Sequence, residues 1–206
     1  GSSSAGSAGP EGESTSGSGG GETYTFPMGH SQAPDHPFND TCVYFADLVS
    51  EKTGGAVTIE IFPNSQLGDE ATMLESLSMG TLDFLMANGA NTAALVPELG
   101  LLGVCYLFDS KDHLVKVTED EEIFQMYEEM IAQKNLNIKL LNLMGNGMRY
   151  LYTTTPVESL DDLQGMKIRV MPSAADTLVW NTLGAKATTV ALRRVYSALP
   201  THMGDR

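Results

Sequence analysis

The chain of 206 residues carries 26 acidic against 12 basic side chains, a formal net charge of −14. So large an acidic excess argues against a nucleic-acid partner and against adhesion to an anionic membrane surface. No stretch is long and apolar enough to span a bilayer, and the two cysteines, Cys42 and Cys105, form neither a CxxC nor a zinc-binding spacing.

Gly1 to Glu22 is almost wholly Gly, Ser, Ala, Thr and Glu, and cannot bury enough apolar surface to order itself. It reads as a tether, with a reach on the order of 25 Å as a flexible coil. Roughly 180 residues follow, enough for a sizeable core or two small lobes. From Tyr24 strand-like and helix-like stretches alternate, which predicts an α/β architecture. Tyr24 to Met28 is the first expected strand, ending at Gly29, His30 and Ser31. Pro37 to Thr53 is an expected helix, with Phe38, Cys42, Phe45, Leu48 and Val49 at helical spacing and Gly54-Gly55 after it. Val57 to Phe62 alternates as a strand, and Asp69 to Met79 is a helix with acids in its first turn and Gly80 behind it. Leu82 to Met86 is a third strand, directing Asn88 and Gly89 from its C-terminal end. Ligands of open parallel sheets bind beyond the carboxyl ends of strands, so His30, Ser31, Asn88 and Gly89 become candidate contacts.

Leu99 to Phe108 is apolar without a clear period and is expected to be buried strand and turn. Lys111 to Val117 and Glu121 to Lys134 read as helices, and Asn137 to Leu143 as the strand that opens a second lobe. Next comes a stretch that stands out for its charge. Between Phe26 and Leu192 the only arginines are Arg149, in the strand-like run from Met148 to Tyr152, and Arg169, in the run from Lys167 to Met171. A strand that carries an always-ionised guanidinium inward must supply an anion or leave a costly unpaired charge. Two readings remain open at this point: a structural ion pair with Glu158, Asp161 or Asp162, or bidentate capture of a ligand carboxylate. Ser159 to Asp162 reads as a capped turn, Ala174 to Leu183 as a helix, Lys186 to Val190 as a strand, and Ala191 to Leu199 as the start of a further helix.

The phrase from Pro156 to Met171, PVESLDDLQGMKIRVM, resembles the signature of the DctP-type extracytoplasmic solute receptors that serve tripartite ATP-independent periplasmic (TRAP) transporters. Similar motifs stand in the family's order on both sides: Phe62 to Asp69, Met79 to Phe84, Tyr106 to Phe108, Leu183 to Ala185, and Val195 to Leu199. The resemblance covers roughly Tyr24 to Leu199. It implies a two-lobed, periplasmic-binding-protein-like α/β fold of mixed sheets flanked by helices, with a tether at 1–22, a first lobe at 23–135 and the start of a second at 136–206. It also implies reversible capture of a small organic acid rather than catalysis, with Arg169 clamping the carboxylate and Arg149 assisting. The implied partners are the membrane subunits of a TRAP transporter, and the implied state is a monomer outside the cytoplasm. A sensing module with the same binding chemistry, or a fragment that binds nothing, are the alternatives.

Toward the end of the chain the pattern departs from the family. Arg194 stands where the receptors carry a glutamate, Leu192 where they tend to carry an aromatic, and the run from Pro200 to Arg206 replaces their continuing turn and hinge helix. The expectation is a C-terminally truncated receptor with exposed apolar faces. The Gly/Ser-rich tail resembles the segment behind the lipidated cysteine of a bacterial lipoprotein, and equally an artificial linker. His30, Asp35 and His36 match no established metal-ligand spacing, no P-loop, dinucleotide fingerprint or nucleophile elbow is present, and no metal or cofactor is expected. Cys42 and Cys105 lie in apolar contexts that favour buried free thiols over a disulfide.

Overall fold

The computed structural model describes residues 22–198 apart from 146 and 148. The expected tether, except for Glu22, and the chain beyond Ala198 lie outside the described residues, as does Met148 of the expected arginine strand.

Three parallel strands form the first sheet. β1 (Tyr24–His30) lies between β2 (Val57–Phe62) and β3 (Phe84–Met86), with Met28 opposite Ile61 on one side and Phe84 on the other. Parallel neighbours need crossovers, and helices supply them. α1 (Pro37–Lys52) links β1 to β2, and α2 (Glu70–Met79) links β2 to β3. Their start signals are those a sequence can show. Pro37 stands in the first turn of α1 and His36 Nδ1 accepts from Phe38 N at 3.1 Å. Asp69 caps α2 by accepting from Thr72 N at 3.1 Å, and Gly80 closes it in the left-handed region at φ 74°. Met28, Cys42 and Ile59 are buried at the centre, with Phe45, Val49, Phe84 and Met86 packed around them. Burial pushes the Cys42 thiol up to about 11. Cys105 is also unpaired but only partly buried.

After β3 the chain makes a short helix, α3 (Gly89–Thr92), and a 3₁₀ helix at Pro97–Gly103, then α4 (Lys111–Thr118) and α5 (Glu121–Gln133). The expected buried strand across 99–108 is therefore corrected. Pro97 sets helical φ at the start of the 3₁₀ turn, Leu99 is buried, but Leu101 and Leu107 are about half exposed and Tyr106 is fully exposed. A second core gathers Val96, Leu99, Tyr127, Ile131 and Leu143, with Leu136, Ile138 and Leu140 against it. The expected strands at 137–143 and at 149–152 are not formed among the described residues. Residues 136–143 pack their apolar side chains on α5 instead of pairing backbone with a neighbour, and a strand exists only where a ladder is made.

The second sheet is one βαβ unit. β4 (Lys167–Val170) and β5 (Lys186–Thr189) run parallel, with Arg169 opposite Thr188, and α6 (Ala174–Thr182) crosses between them. Ile168, Val170 and Ala185 are its buried core, with Trp180 and Ala187 packed on it. Ahead of β4, Ser159 and Asp162 form a capping box over the 3₁₀ turn Leu160–Leu163. The chain then enters a 3₁₀ turn, Leu192–Arg194, and a short helix, α7 (Val195–Ala198). No helix among the described residues is long and apolar enough to cross a membrane.

Candidate functional site

Arg169 sits on β4, between the buried Ile168 and Val170, and is itself partly buried. Its Nε donates to the carbonyl oxygen of Val190 at 2.8 Å. That single bond takes the inner nitrogen and leaves the outer two, the pair that grips a carboxylate. Among the described residues no carboxylate lies within ion-pair distance of it. Burial draws its pKa below the ordinary value; the charge of Glu70 opposes that, that of Arg149 adds to it, and that of Asp176 opposes it. A guanidinium so lowered is still ionised at neutral pH. The four charges thus form one field, with two signs in equal number.

Arg149 is differently placed. Its Nη1 donates to Asp176 Oδ1 at 2.7 Å, in an ion pair whose arginine is 41 % exposed and whose aspartate is 4 % exposed. The other carboxylate oxygen of Asp176 is buried with no partner among the described residues. On its far side Arg149 reaches the 3₁₀ turn of the first half, since a Cβ on Gly103 would meet its Nη2 at 3.6 Å. Glu158, Asp161 and Asp162 serve neither arginine. Asp162 accepts from Glu158 N, Ser159 N and Ser159 Oγ at 2.8–3.0 Å instead.

The carboxyl ends of β1 and β3 converge on Glu70. This carboxylate is 6 % exposed, which obliges it to find donors. Ser31 Oγ donates to its Oε1, while Asn88 N, at 3.1 Å, and Asn91 Nδ2, at 2.5 Å, donate to its Oε2. Ser31 is therefore engaged with Glu70. Asn88 spends its side-chain oxygen on capping α3, accepting from Ala90 N at 3.1 Å. Gly89 has a packing reason: a Cβ there would stand 2.8 Å from the backbone oxygen of Leu99. His30 is fully buried; its Nε2 donates to Asn39 Oδ1 at 3.2 Å, and its Nδ1 has no partner among the described residues. His36 is occupied in capping α1, and among the described residues no three His, Cys, Asp or Glu groups could hold a metal ion together.

The structure thus brings Arg169 and Arg149 into one charged cluster with Glu70, and places Ser31 and Asn88 around that carboxylate. Glu70, Asn91 and Asp176 were not legible as site residues. Each local pattern had a sufficient ordinary meaning: an acid in the first turn of α2, and a Ser173-x-x-Asp176 spacing that reads as a helix cap. Ser173 does cap α6, accepting from Asp176 N at 3.2 Å. The aspartate's own carboxylate turns to Arg149.

The profile of the bacterial extracellular solute-binding proteins, family 7, matches residues 28–203. A solute-binding protein of Chromohalobacter salexigens is 34 % identical over 173 residues, which cover 84 % of this chain and 51 % of that protein. The C4-dicarboxylate-binding periplasmic protein of Rhodobacter capsulatus is 31 % identical over 185 residues, covering 89 % of this chain and 55 % of its own length. Among solved structures, the succinate-bound TRAP periplasmic solute-binding protein of Sulfurospirillum deleyianum superposes with a TM-score of 0.81 at 29 % identity. It is matched over 89 % of this chain and 59 % of that one. The D-glucuronate-bound receptor of Citrobacter koseri gives 0.83 at 26 % identity, over 89 % and 61 %. The chain spans about half the length of these sequence relatives.

Proposed function

The chain belongs to family 7 of the bacterial extracellular solute-binding proteins, and from that premise we propose that it captures a small organic acid by its carboxylate for uptake through a TRAP-type transporter. The observation that carries this reading is Arg169, a partly buried guanidinium oriented by the Val190 carbonyl and without a carboxylate partner among the described residues. A ligand carboxylate would accept two parallel bonds from its outer nitrogens. Micromolar capture requires about 8 kcal/mol of net binding. One charge pair does not supply that after desolvation, so the polar ring around Glu70 contributes contacts to the remainder of the ligand.

In this reading residues 23–135 and 136–206 belong to two lobes, and their closure on the ligand creates the surface that the transporter's membrane subunits recognise. The receptor acts outside the cytoplasm, as a monomer, and binds without turnover. Thermal unfolding with a panel of organic acids tests the proposal, because a ligand held only by the native state raises the midpoint. One class of acid raises it, and Arg169→Ala removes that rise while the unliganded midpoint is retained. Undiminished affinity in Arg169→Ala overturns the clamp.

A further inference from the structure

We infer that Asp176 is a built-in counter-anion for Arg149, which leaves the site one unclaimed guanidinium and selects a hydroxylated monocarboxylic acid over a dicarboxylic one. This rests on the capture of a carboxylate by Arg169 proposed above.

Charge is the first ground. Two arginines in one charged cluster resemble a receptor for two carboxylates. Here the Arg149 charge is already met at 2.7 Å by an aspartate that is 4 % exposed, although the arginine itself is 41 % exposed and so partly screened by water. With Glu70 the cluster holds two positive and two negative groups, and the other three all act on Arg169. A monoacid that docks on Arg169 brings one negative charge to a balanced field. A diacid brings a second, into a field that already holds the negative charges of Asp176 and Glu70. Specificity is often set by such a repulsive element as much as by the attractive one.

Donor and acceptor chemistry is the second ground. The free oxygen of Asp176 is buried with no partner among the described residues. An ionised carboxylate is acceptor-only, so a hydroxyl or amine of a ligand that reaches it from Arg169 can donate to it, and a second ionised carboxylate cannot. Glu70 is saturated differently, by Ser31, Asn88 and Asn91. It holds that rim in place and contributes its charge. The ligand class that fits is therefore a carboxylate with hydroxyl groups a few bonds away, as in the polyhydroxy monoacids.

Matched pairs that differ only in a terminal carboxylate make the test: glycerate against tartronate, threonate against tartrate, and gluconate against glucarate. Each is titrated calorimetrically into the 206-residue chain and into Asp176→Asn. The tightest monoacid is expected to bind at least 10-fold more strongly than its paired diacid. Asp176→Asn is expected to move that ratio at least 10-fold toward the diacid, a change that a merely structural role for Asp176 does not produce. The wild-type ratio is decisive even where the variant fails to fold. Diacids that bind equally or more tightly through Arg169 overturn the inference and leave carboxylate capture standing. Failure of every acid to bind overturns carboxylate capture itself, and the inference with it.

Discussion

His30 shows what one residue contributes when it is buried without charge. It is fully buried beside Asn39, with His36 and Glu70 as its charged or chargeable neighbours, and burial holds its pKa below the ordinary 6.5. The unfolded chain therefore takes up a proton that the folded chain resists. The stability linked to His30 is complete above about pH 6.5 and is lost as pH falls through the folded value. Unfolding midpoints measured from pH 7.5 down to 5 should decline, and the decline should be shallower in His30→Gln, whatever that variant's absolute stability. The carboxylates that hydrogen bonds hold low, Asp69 and Asp162, lose their contribution only at lower pH. They leave this window clear. An equal slope in both proteins would show that His30 does not carry the dependence.

At the scale of elements, the site depends on a few close backbone approaches. Gly89 opens α3 against the 3₁₀ turn, and an added Cβ would lie 2.8 Å from the Leu99 carbonyl, a backbone atom that cannot rotate away. Gly89→Ala should therefore cost about 1–3 kcal/mol in urea unfolding, the usual range for overpacking. It should also displace the Asn88 amide from Glu70. Unchanged stability would mean that the turn shifts freely. The same scale explains how much was legible beforehand. β1, β2, α1, α2, β4 and α6 announced themselves through alternation, helical spacing, caps and glycine stops, signals written within a few residues. The segment at 137–152 carries a similar apolar pattern, yet a strand also needs a neighbour to pair with, and that requirement is not local. Arg169 was legible because a charge on an apolar strand is locally inconsistent. Asp176 was hidden because a capping position explained it.

For the whole molecule, a net charge of −14 surrounds a cluster whose own charges cancel. In the proposed capture, a monoanionic ligand would meet repulsion at long range and attraction only near Arg169. Salt screens the distant charges first, over a Debye length of about 8 Å at physiological ionic strength. Stopped-flow association should accordingly speed up as salt rises from low ionic strength to about 0.15 M; a fall would show that the arginines steer the encounter from afar. Asp176 has a further consequence for descent. It lies on α6, two residues from the exposed Ala174 and Leu178 and outside both strand ladders, so it can be exchanged without rebuilding either sheet. Aspartate and asparagine codons differ by one nucleotide. If Asp176 sets the selectivity proposed above, a single point mutation releases Arg149 and gives descendants of this chain a short route between the two kinds of acid while the Glu70 scaffold is inherited unchanged.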